Sequence, residues 1–291
     1  MKNQLFLTIL AITAGLLTAC SSDDESTPGG ESPSPDNTLR HISVQVSELP
    51  LVPDAAQTRA DISTIETLTS FEMHCIYNNS TRDYSAKKSG NDWTVDPNTW
   101  PDYDARIPFY AHSGGTFVKG DANYISFTTD EDAFNQHDLL VASSTVAYSD
   151  RNGKVPLTFS HACAAVRFHV LMTKTLRESL GSTELIVKSI MLRNVYRSGE
   201  YVFNSGWRNV GTSTYYTLTN SEINIGTESQ ALATNYLFLI PQSPTNTYLE
   251  VSYKLGNSET VKTATIPLTT EWEAGKEYNI NIKLGTTLIE I

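Results

Sequence analysis

Cysteine, basic residues and long apolar runs are scarce in this sequence of 291 residues, and each scarcity excludes a class of protein. Three cysteines are too few for a disulfide-rich scaffold, so a packed apolar core has to hold the fold. The 21 basic residues are outnumbered by 32 acidic ones, a balance that argues against binding nucleic acid. Motifs of serine hydrolases, zinc proteases and phosphate-binding loops are missing, so we expect neither an enzyme nor a cofactor.

The N-terminus carries an export signal. Lys2 precedes an apolar run over residues 5–17, which is too short for a membrane-spanning helix. Leu17-Thr18-Ala19-Cys20 follows and resembles a bacterial lipobox, in which a lipid is attached to the cysteine and the chain is cut before it. We therefore expect a signal peptide over residues 1–19, and a lipid on Cys20 that anchors the chain to the outer membrane.

The residues after the lipobox predict a flexible acidic tether over residues 20–40. Residues 21–38 contain almost no apolar side chains and cannot bury enough surface to fold. Residues 21–25 are small or acidic and resemble the export tag of surface-exposed lipoproteins in Bacteroidetes. Because Lys2 leaves with the signal peptide, 20 of the 21 basic residues remain against 32 acidic ones, a formal charge of about −12.

Alternating patterns predict an all-β chain. Ile42, Val44 and Val46 alternate with polar residues, which is the period of a half-buried strand. Asp150-Arg151-Asn152-Gly153 marks a hairpin between two strand-like runs, and residues 173–180 favour a short helix closed by a glycine. Further strands are predicted over residues 71–77, 123–128, 138–148, 154–170, 184–196, 200–203, 236–240, 248–255, 261–268 and 278–284. Since a hairpin should not straddle two domains, we place β-sandwich domains at 41–172 and 173–291.

Several short motifs follow one another in a distinctive order. They are Trp93, Trp100-Pro101, Phe109-Tyr110-Ala111, Asp138-Leu139-Leu140-Val141-Ala142, Val155-Pro156-Leu157-Thr158-Phe159-Ser160-His161, Ala165-Val166-Arg167-Phe168, Leu237-Phe238-Leu239-Ile240-Pro241-Gln242 and Trp272-Glu273-Ala274-Gly275-Lys276-Glu277-Tyr278. The ordered set, behind a lipobox, resembles the fimbrillin-like lipoproteins of Bacteroidetes, the Mfa-like or FimA-type pilins of type V pili. The resemblance covers nearly all of the mature chain. It implies two transthyretin-like β-sandwich domains in tandem.

The resemblance also implies a route of assembly in which other pilus subunits are the partners. A subunit of this family arrives as a lipoprotein, an Arg-specific protease removes its first strand, and the open groove accepts a strand from the next subunit, so that the processed chain enters the fimbrium. Residues 41–52 would be the removable strand, and Arg59 with Ala60 matches the family's cleavage position. The alternative for Arg59 is an ordinary surface residue.

The C-terminus departs from the pattern of a stalk pilin. Seven residues follow the strand predicted at 278–284, and they reach about 23 Å when fully extended. A donor strand has to leave its own domain and span a neighbour's groove, so this length leaves little for a linker. We therefore expect a tip or accessory subunit that acts in adhesion.

A rival interpretation is a surface glycan-binding lipoprotein that never polymerises. Its basis is the four tryptophans, because exposed aromatic rings stack on sugars. Trp93, Trp100 and Trp272 fall within the family motifs and are expected in the core or at the domain junction. Trp207 lies in a turn-rich loop and is the expected contact with a ligand, a glycan or a protein of the host or bacterial surface.

Histidines and acidic residues suggest metals only weakly. His161 and His169 would share a face of one continuous strand, but Arg167 on that face opposes a cation. Asp130-Glu131-Asp132 with Asp138 lacks the glycine and final glutamate of an EF-hand loop. We expect no metal site.

Two cysteines remain after lipidation. Cys75 and Cys163 both lie in apolar strands. They either form a disulfide, since the compartment is oxidising enough, or pack as free thiols, and the sequence favours neither alternative.

Overall fold

A computed structural model describes residues 40–53, 68–101, 105–120, 122–211, 213–232 and 236–289. Their regular secondary structure is almost entirely β-strand, which confirms the all-β prediction. Two short helices lie within the described ranges: α1 spans Tyr148–Arg151 and α2 spans Lys174–Leu180. Among the residues described, none of the helices has the length and apolar character needed to cross a membrane.

The strands are numbered along the chain. Those up to residue 172 are β1 Ser43–Glu48, β2 Val52–Pro53, β3 Ser70–Tyr77, β4 Ser80–Ser89, β5 Asp92–Asp96, β6 Ile107–Ser113, β7 Thr116–Val118, β8 Tyr124–Thr128, β9 Leu140–Val146, β10 Lys154–His161 and β11 Ala164–Met172. Those that follow are β12 Leu185–Tyr196, β13 Ser198–Val202, β14 Gly206–Arg208, β15 Ser213–Thr217, β16 Ile223–Asn224, β17 Gln230–Ala231, β18 Leu237–Leu239, β19 Tyr248–Leu255, β20 Lys262–Pro267 and β21 Lys276–Leu284.

In the part of the chain that the structure describes, the strands form four sheets. A seven-stranded sheet has the order β1-β10-β9-β6-β3-β4-β5. One five-stranded sheet has the order β17-β11-β21-β2 with β18 beside β11, and the other has the order β15-β12-β19-β20 with β16 beside β12. A four-stranded sheet has the order β14-β13-β8-β7. Strands β1 and β2 each lie at an edge and pair in parallel, β1 with β10 and β2 with β21.

Two large apolar cores account for most of the buried side chains. The first core lies on one face of the seven-stranded sheet, where Phe71, Met73 and Cys75 alternate with outward-facing neighbours along β3. The second core lies between the β11–β21 sheet and the β12–β19 sheet, and Trp272 is its largest fully buried side chain. Smaller clusters join them, one around Phe203 and one formed by Leu51, Ala165 and Tyr236.

The run predicted as one strand over residues 154–170 is two strands in different sheets. β10 pairs with β1 and β9, whereas β11 pairs with β17, β18 and β21. The chain changes sheet at Ala162 and Cys163, which lie between the two strands. The change of sheet thus precedes residue 173, where the sequence places the domain boundary, and the two-domain division itself stays a prediction.

Turn chemistry explains the local structure at both predicted turns. Asn152 and Gly153 adopt positive φ values of 51° and 75°, and they end α1 before β10 begins. The predicted helix at 173–180 is confirmed as α2. The Thr173 side chain caps it by accepting a hydrogen bond from the Leu176 N–H at 3.2 Å, and Gly181 ends it.

Candidate functional site

The candidate site is the place where residues 40–53, called the N-terminal segment below, bind to the rest of the chain. Val44 and Val46 are half-buried and alternate with exposed neighbours, which confirms the predicted strand as β1. β1 lies along β10 in parallel register from Ser43 opposite Lys154 to Glu48 opposite Phe159. A parallel ladder of six residues holds the segment by backbone groups, and such pairing is largely independent of side-chain identity.

Both ends of β1 are fixed by further backbone hydrogen bonds. The Ser43 N–H donates to the Gly153 carbonyl at 2.9 Å, and the Leu49 N–H donates to the Phe159 carbonyl at 2.8 Å. Farther along the segment, the Val52 N–H donates to the Gly275 carbonyl at 2.8 Å, where β2 begins its pairing with β21. The N-terminal segment therefore spans two sheets: the seven-stranded sheet at β10 and the five-stranded sheet at β21.

Two apolar side chains anchor the segment near its ends. Ile42 is 3% exposed and belongs to the first core, and Leu51 is 1% exposed and packs with Ala165 and Tyr236. Leu49, between them, is 55% exposed. The deepest apolar burial in the segment is thus at these two anchors, one in the first core and the other in the small cluster with Ala165 and Tyr236.

A buried charged triad holds the centre of the segment. Glu48 Oε1 lies 2.9 Å from His161 Nε2, and His161 Nδ1 lies 2.5 Å from Asp138 Oδ2. The three side chains are between 3% and 8% exposed. Asp138 also accepts a hydrogen bond at 3.3 Å from the Cys163 N–H, at the point where the chain changes sheet. Glu48 belongs to the segment and its two partners do not, so the triad exists only while the segment is bound.

The triad holds protons more tightly than its separate groups would. Burial raises the pKa of the Glu48 carboxyl and of the Asp138 carboxyl, because the charged form loses its hydration. Burial alone would lower the pKa of His161, but its hydrogen bond and attraction to Asp138, together with the attraction to Glu48, raise this pKa overall. While the segment is bound, the charged imidazole of His161 is therefore favoured over the neutral ring.

Three of the predicted site residues lie outside the part of the chain that the structure describes. Cys20, the predicted lipid attachment site, precedes residue 40, and Arg59 and Ala60, the predicted cleavage site, lie in the gap after Pro53. Lipidation and cleavage stay predictions. The segment predicted for removal, 41–52, coincides with the docked strand and its two apolar anchors.

Trp207, the predicted glycan contact, is half-buried in the cluster around Phe203. Its indole N–H donates to the Ala162 carbonyl at 2.7 Å, and its ring lies 5.6 Å from the Tyr201 ring. A Cβ atom on Gly199 would lie 3.0 Å from the indole, so that backbone covers part of the ring. The N–H group and much of the ring surface are thus already used inside the protein.

The other residues considered from the sequence are dispersed. His161 belongs to the triad and His169 to the other sheet, so they do not share a continuous strand. Asp138 is buried with His161, while Asp130 and Asp132 accept hydrogen bonds from nearby backbone N–H groups in their own loop. The structure decides between the two alternatives for the cysteines: Cys75 and Cys163 are free, buried thiols. Burial raises the pKa of both.

The pairing of Glu48 with His161 was missed from the sequence, although one signal for it is present. Glu48 continues the inward-facing series of Ile42, Val44 and Val46, so the two-residue period already places a carboxyl on the buried face. A buried carboxylate needs a cationic or hydrogen-bonding partner. No spacing rule identifies that partner 113 positions away along the chain.

Comparison with known proteins supports the resemblance seen in the motifs. The model of a protein family described as fimbrillin-like matches residues 55–291. No curated protein matches the sequence. A fimbrial protein from Bacteroides vulgatus has a similar structure, with 18% identity, a TM-score of 0.58, and coverage of 84% of this chain and 95% of the other.

Two further solved structures share the fold. A candidate cell adhesion protein from Bacteroides ovatus is 14% identical with a TM-score of 0.55, covering 87% of this chain and 95% of its own. A candidate cell adhesion protein from Bacteroides uniformis is 14% identical with a TM-score of 0.52, covering 88% and 96%. Identities this low establish similarity of fold.

Proposed function

The chain belongs to the fimbrillin-like family, and from this premise we propose that it is a pilus subunit of the bacterial surface, assembled by strand exchange and active in adhesion. The family is one of fimbrial and adhesion proteins, so the proposed role is structural rather than enzymatic. The observation that carries the proposal is the N-terminal segment, a strand bound at the edges of two sheets and followed by Arg59.

Removal of the segment would turn its binding site into an acceptor groove. The edges of β10 and β21 would lose their backbone partners, and the spaces filled by Ile42 and Leu51 would open. An unpaired edge beside apolar pockets binds extended chains, because backbone groups supply affinity and the pockets select alternate side chains. A strand from a neighbouring subunit is the proposed occupant.

The lipid on Cys20 gives the uncut chain its proposed place in the outer membrane. Cleavage after Arg59 would detach the lipid together with the segment and pass the chain to the fimbrium. Several acyl chains anchor a protein firmly, since each buried CH₂ contributes about 0.8 kcal/mol. Labelling with palmitate that is lost in Cys20→Ala tests this anchor.

We place the subunit at a tip or in an accessory position. The support comes from residues 285–289, which turn back on their own core: Ile289 is 1% exposed, and its N–H donates to the Gly285 carbonyl at 3.0 Å. A residue buried in its own core is not free to enter a neighbour's groove. The proposed subunit thus accepts a strand without donating these residues.

N-terminal sequencing of surface material tests the processing step. The mature chain is expected to begin at Ala60, and Arg59→Lys, which keeps the charge, is expected to block an Arg-specific protease as fully as Arg59→Ala. Arg151→Ala, an exposed arginine in α1, is the matched control and is expected to be processed normally. A surface form that begins only at Cys20 would contradict cleavage.

Binding of a peptide tests the acceptor groove separately. A chain cut at Arg59 and stripped of its segment is expected to bind a synthetic peptide of residues 41–52, whereas the uncut chain is not. A control peptide in which Ile42 and Leu51 are replaced by Asp is expected not to bind, because both anchors enter buried sites. Equal binding of both peptides would contradict a specific groove.

The glycan-binding alternative predicts a different set of results. It requires saturable binding of a polysaccharide on a glycan array, loss of that binding in Trp207→Ala, and no labelling of pili in electron micrographs of the expressing cells. The pilus role predicts that electron micrographs of the expressing cells show labelled pili, with the label at the ends of the fibres.

A further inference from the structure

Three side chains with metal-binding atoms converge on the face of the seven-stranded sheet that is opposite the first core. Glu72 and His74 lie two residues apart in β3, and His112 lies opposite Glu72 in β6. Because side chains alternate along a strand, Glu72 and His74 project away from Phe71 and Met73, which are in the core. These three residues are separate from the N-terminal segment and from its charged triad.

The ligand atoms of the three residues point at one another. His74 Nε2 and His112 Nε2 are 3.0 Å apart. Glu72 Oε2 lies 4.0 Å from the first of these atoms and 3.9 Å from the second. The two histidines are 6% and 2% exposed, and the Phe117 ring stacks on His74 with centroids 4.1 Å apart. The cluster is therefore shielded on one side by protein.

The outer nitrogens of both rings have partners of the kind that orient metal-binding histidines. His74 Nδ1 lies 2.7 Å from Asp83 Oδ1, and His112 Nδ1 lies 2.8 Å from the Gly114 carbonyl oxygen. Metal-ligating histidines usually donate this N–H to a carboxylate or a carbonyl, which fixes the tautomer. Burial also lowers the pKa of His112, which favours the neutral ring that metals bind.

These contacts leave two lone pairs facing each other. A carbonyl oxygen and a carboxylate oxygen accept hydrogen bonds, so both Nδ1 atoms donate, and each neutral ring then carries a lone pair on Nε2. Two lone pairs at 3.0 Å repel unless a cation lies between them. The cation is either a shared proton or a metal ion.

We propose that Glu72, His74 and His112 bind a divalent transition metal of the zinc class. Zinc bonds imidazole nitrogen at about 2.0–2.1 Å, and two nitrogens at a tetrahedral angle then lie roughly 3.3 Å apart, close to the observed spacing. The Glu72 side chain is 67% exposed, so its carboxylate is free to rotate inwards. Two imidazoles favour zinc, copper or nickel over calcium and magnesium, which prefer oxygen ligands.

The metal would join β3 to β6 and keep one coordination position open to solvent. A depression of about 270 Å³ borders Glu72 and His112 and is also lined by Ser85, Lys87 and Gly115. A water molecule is the proposed fourth ligand, as in sites with three protein ligands. No sequence spacing rule finds this set, because strand pairing rather than a local motif brings His112 to the other two residues.

Calorimetric titration of Zn²⁺ into the full mature chain in detergent tests the site. Binding of one ion per chain is expected. Glu72→Gln and Asp83→Asn both change exposed side chains and leave the core intact, and each is expected to weaken binding about tenfold or more. His137→Gln removes an exposed histidine outside the cluster and is expected to leave the affinity unchanged.

The absorption spectrum of bound Co²⁺ provides a second readout that does not depend on stability. An intense visible band of a four-coordinate ion is expected for the natural chain, and its loss is expected in His112→Gln. The absence of saturable Zn²⁺ binding would overturn the proposal. Binding that is equally strong in Glu72→Gln, Asp83→Asn and His137→Gln would also overturn it.

Discussion

At the scale of single residues, Gly153 controls how closely the N-terminal segment approaches β10. Its φ is +75°, and a Cβ atom there would lie 2.3 Å from the His41 carbonyl oxygen. Contacts this short with backbone cannot be relieved by a side-chain rotation. A glycine is thus required at position 153 because the backbone there has a positive φ and because the start of the segment comes too close for a Cβ atom.

Gly153→Ala is expected to loosen the start of the segment. The left-handed conformation alone costs about 1–2 kcal/mol for a residue with a Cβ atom, and the clash adds to it. Gly90→Ala is the matched control, because Gly90 has a φ of +63° and open space around the Cβ position. Hydrogen exchange of the Ser43 amide, which bonds to Gly153, is expected to accelerate in Gly153→Ala and not in Gly90→Ala. Equal behaviour of the two variants would contradict the clash.

The Glu48–His161–Asp138 triad predicts that the bound segment loosens as the pH rises. All three pKa values are raised in the folded chain, so the contribution of His161 is complete below about pH 6.5, its unfolded value, and is lost as the pH rises through its folded value. The contributions of the Glu48 and Asp138 carboxyl groups are also lost as the pH rises, but over a lower pH range. After correction for intrinsic exchange rates, the amides of β1 are expected to be less protected at pH 9 than at pH 6.

Glu48→Gln tests the triad as the cause of this pH dependence. The change leaves His161 with one anionic partner and is expected to cost about 1–3 kcal/mol near pH 6 and to flatten the pH dependence. Glu271→Gln, which changes an exposed carboxylate, is the control. A pH dependence that survives in Glu48→Gln would assign it to other groups.

At the scale of elements, the N-terminal segment is held by its ends. Leu51→Ala is expected to destabilise the bound segment by about 2–5 kcal/mol, because it empties a fully buried site. Leu49→Ala changes the same residue type two positions earlier, where the side chain is 55% exposed, and is expected to stay within about 0.5 kcal/mol. Hydrogen exchange of the Val52 amide and the free energy of unfolding measure the effects of the two substitutions. Similar losses in the two variants would contradict anchoring at Leu51.

The sequence predicted those elements whose own pattern is strong. The alternation of Ile42, Val44 and Val46 located β1, and the glycine that closes residues 173–180 marked the end of α2. Short strands such as β7 and β14 went unrecognised, because three residues carry no readable period and depend on pairing with longer neighbours. The break between β10 and β11 was missed for a related reason. Apolar residues recur along both strands without a turn signal between them, and the different partners of the two strands reveal the break.

At the scale of the whole molecule, the N-terminal segment connects two cores. Ile42 belongs to the first, while β2 pairs with β21, a strand of the sheet that borders the second. The uncut chain is expected to unfold in urea in one transition, and the chain without its segment in two. Trp100 is buried in the first core and Trp272 in the second. The fluorescence change that is lost in Trp100→Phe therefore reports unfolding of the first core, and the change that is lost in Trp272→Phe reports unfolding of the second. A single transition in the cut chain would contradict this connecting role.

The fold class and strand β1 could thus be predicted from the sequence. The contact between Glu48 and His161 could not. Local periodicity reports which side of a strand is buried, but Glu48 and His161 meet only because β1 lies on β10. The same holds for His74 and His112, which β3 and β6 bring together. Contacts across sheets follow from topology, and no local pattern encodes them.

The parallel pairing of β1 with β10 also has a mechanical consequence. When a pull on the chain ahead of residue 40 is directed along the axis of β1, the evenly spaced bonds of the parallel ladder share the load. Rupture in this shear direction requires several bonds to break together, whereas peeling the strand sideways breaks them one after another. The bound segment therefore resists a force along the strand. A competing strand that displaces the segment from one end, in contrast, has to break only one hydrogen bond at a time.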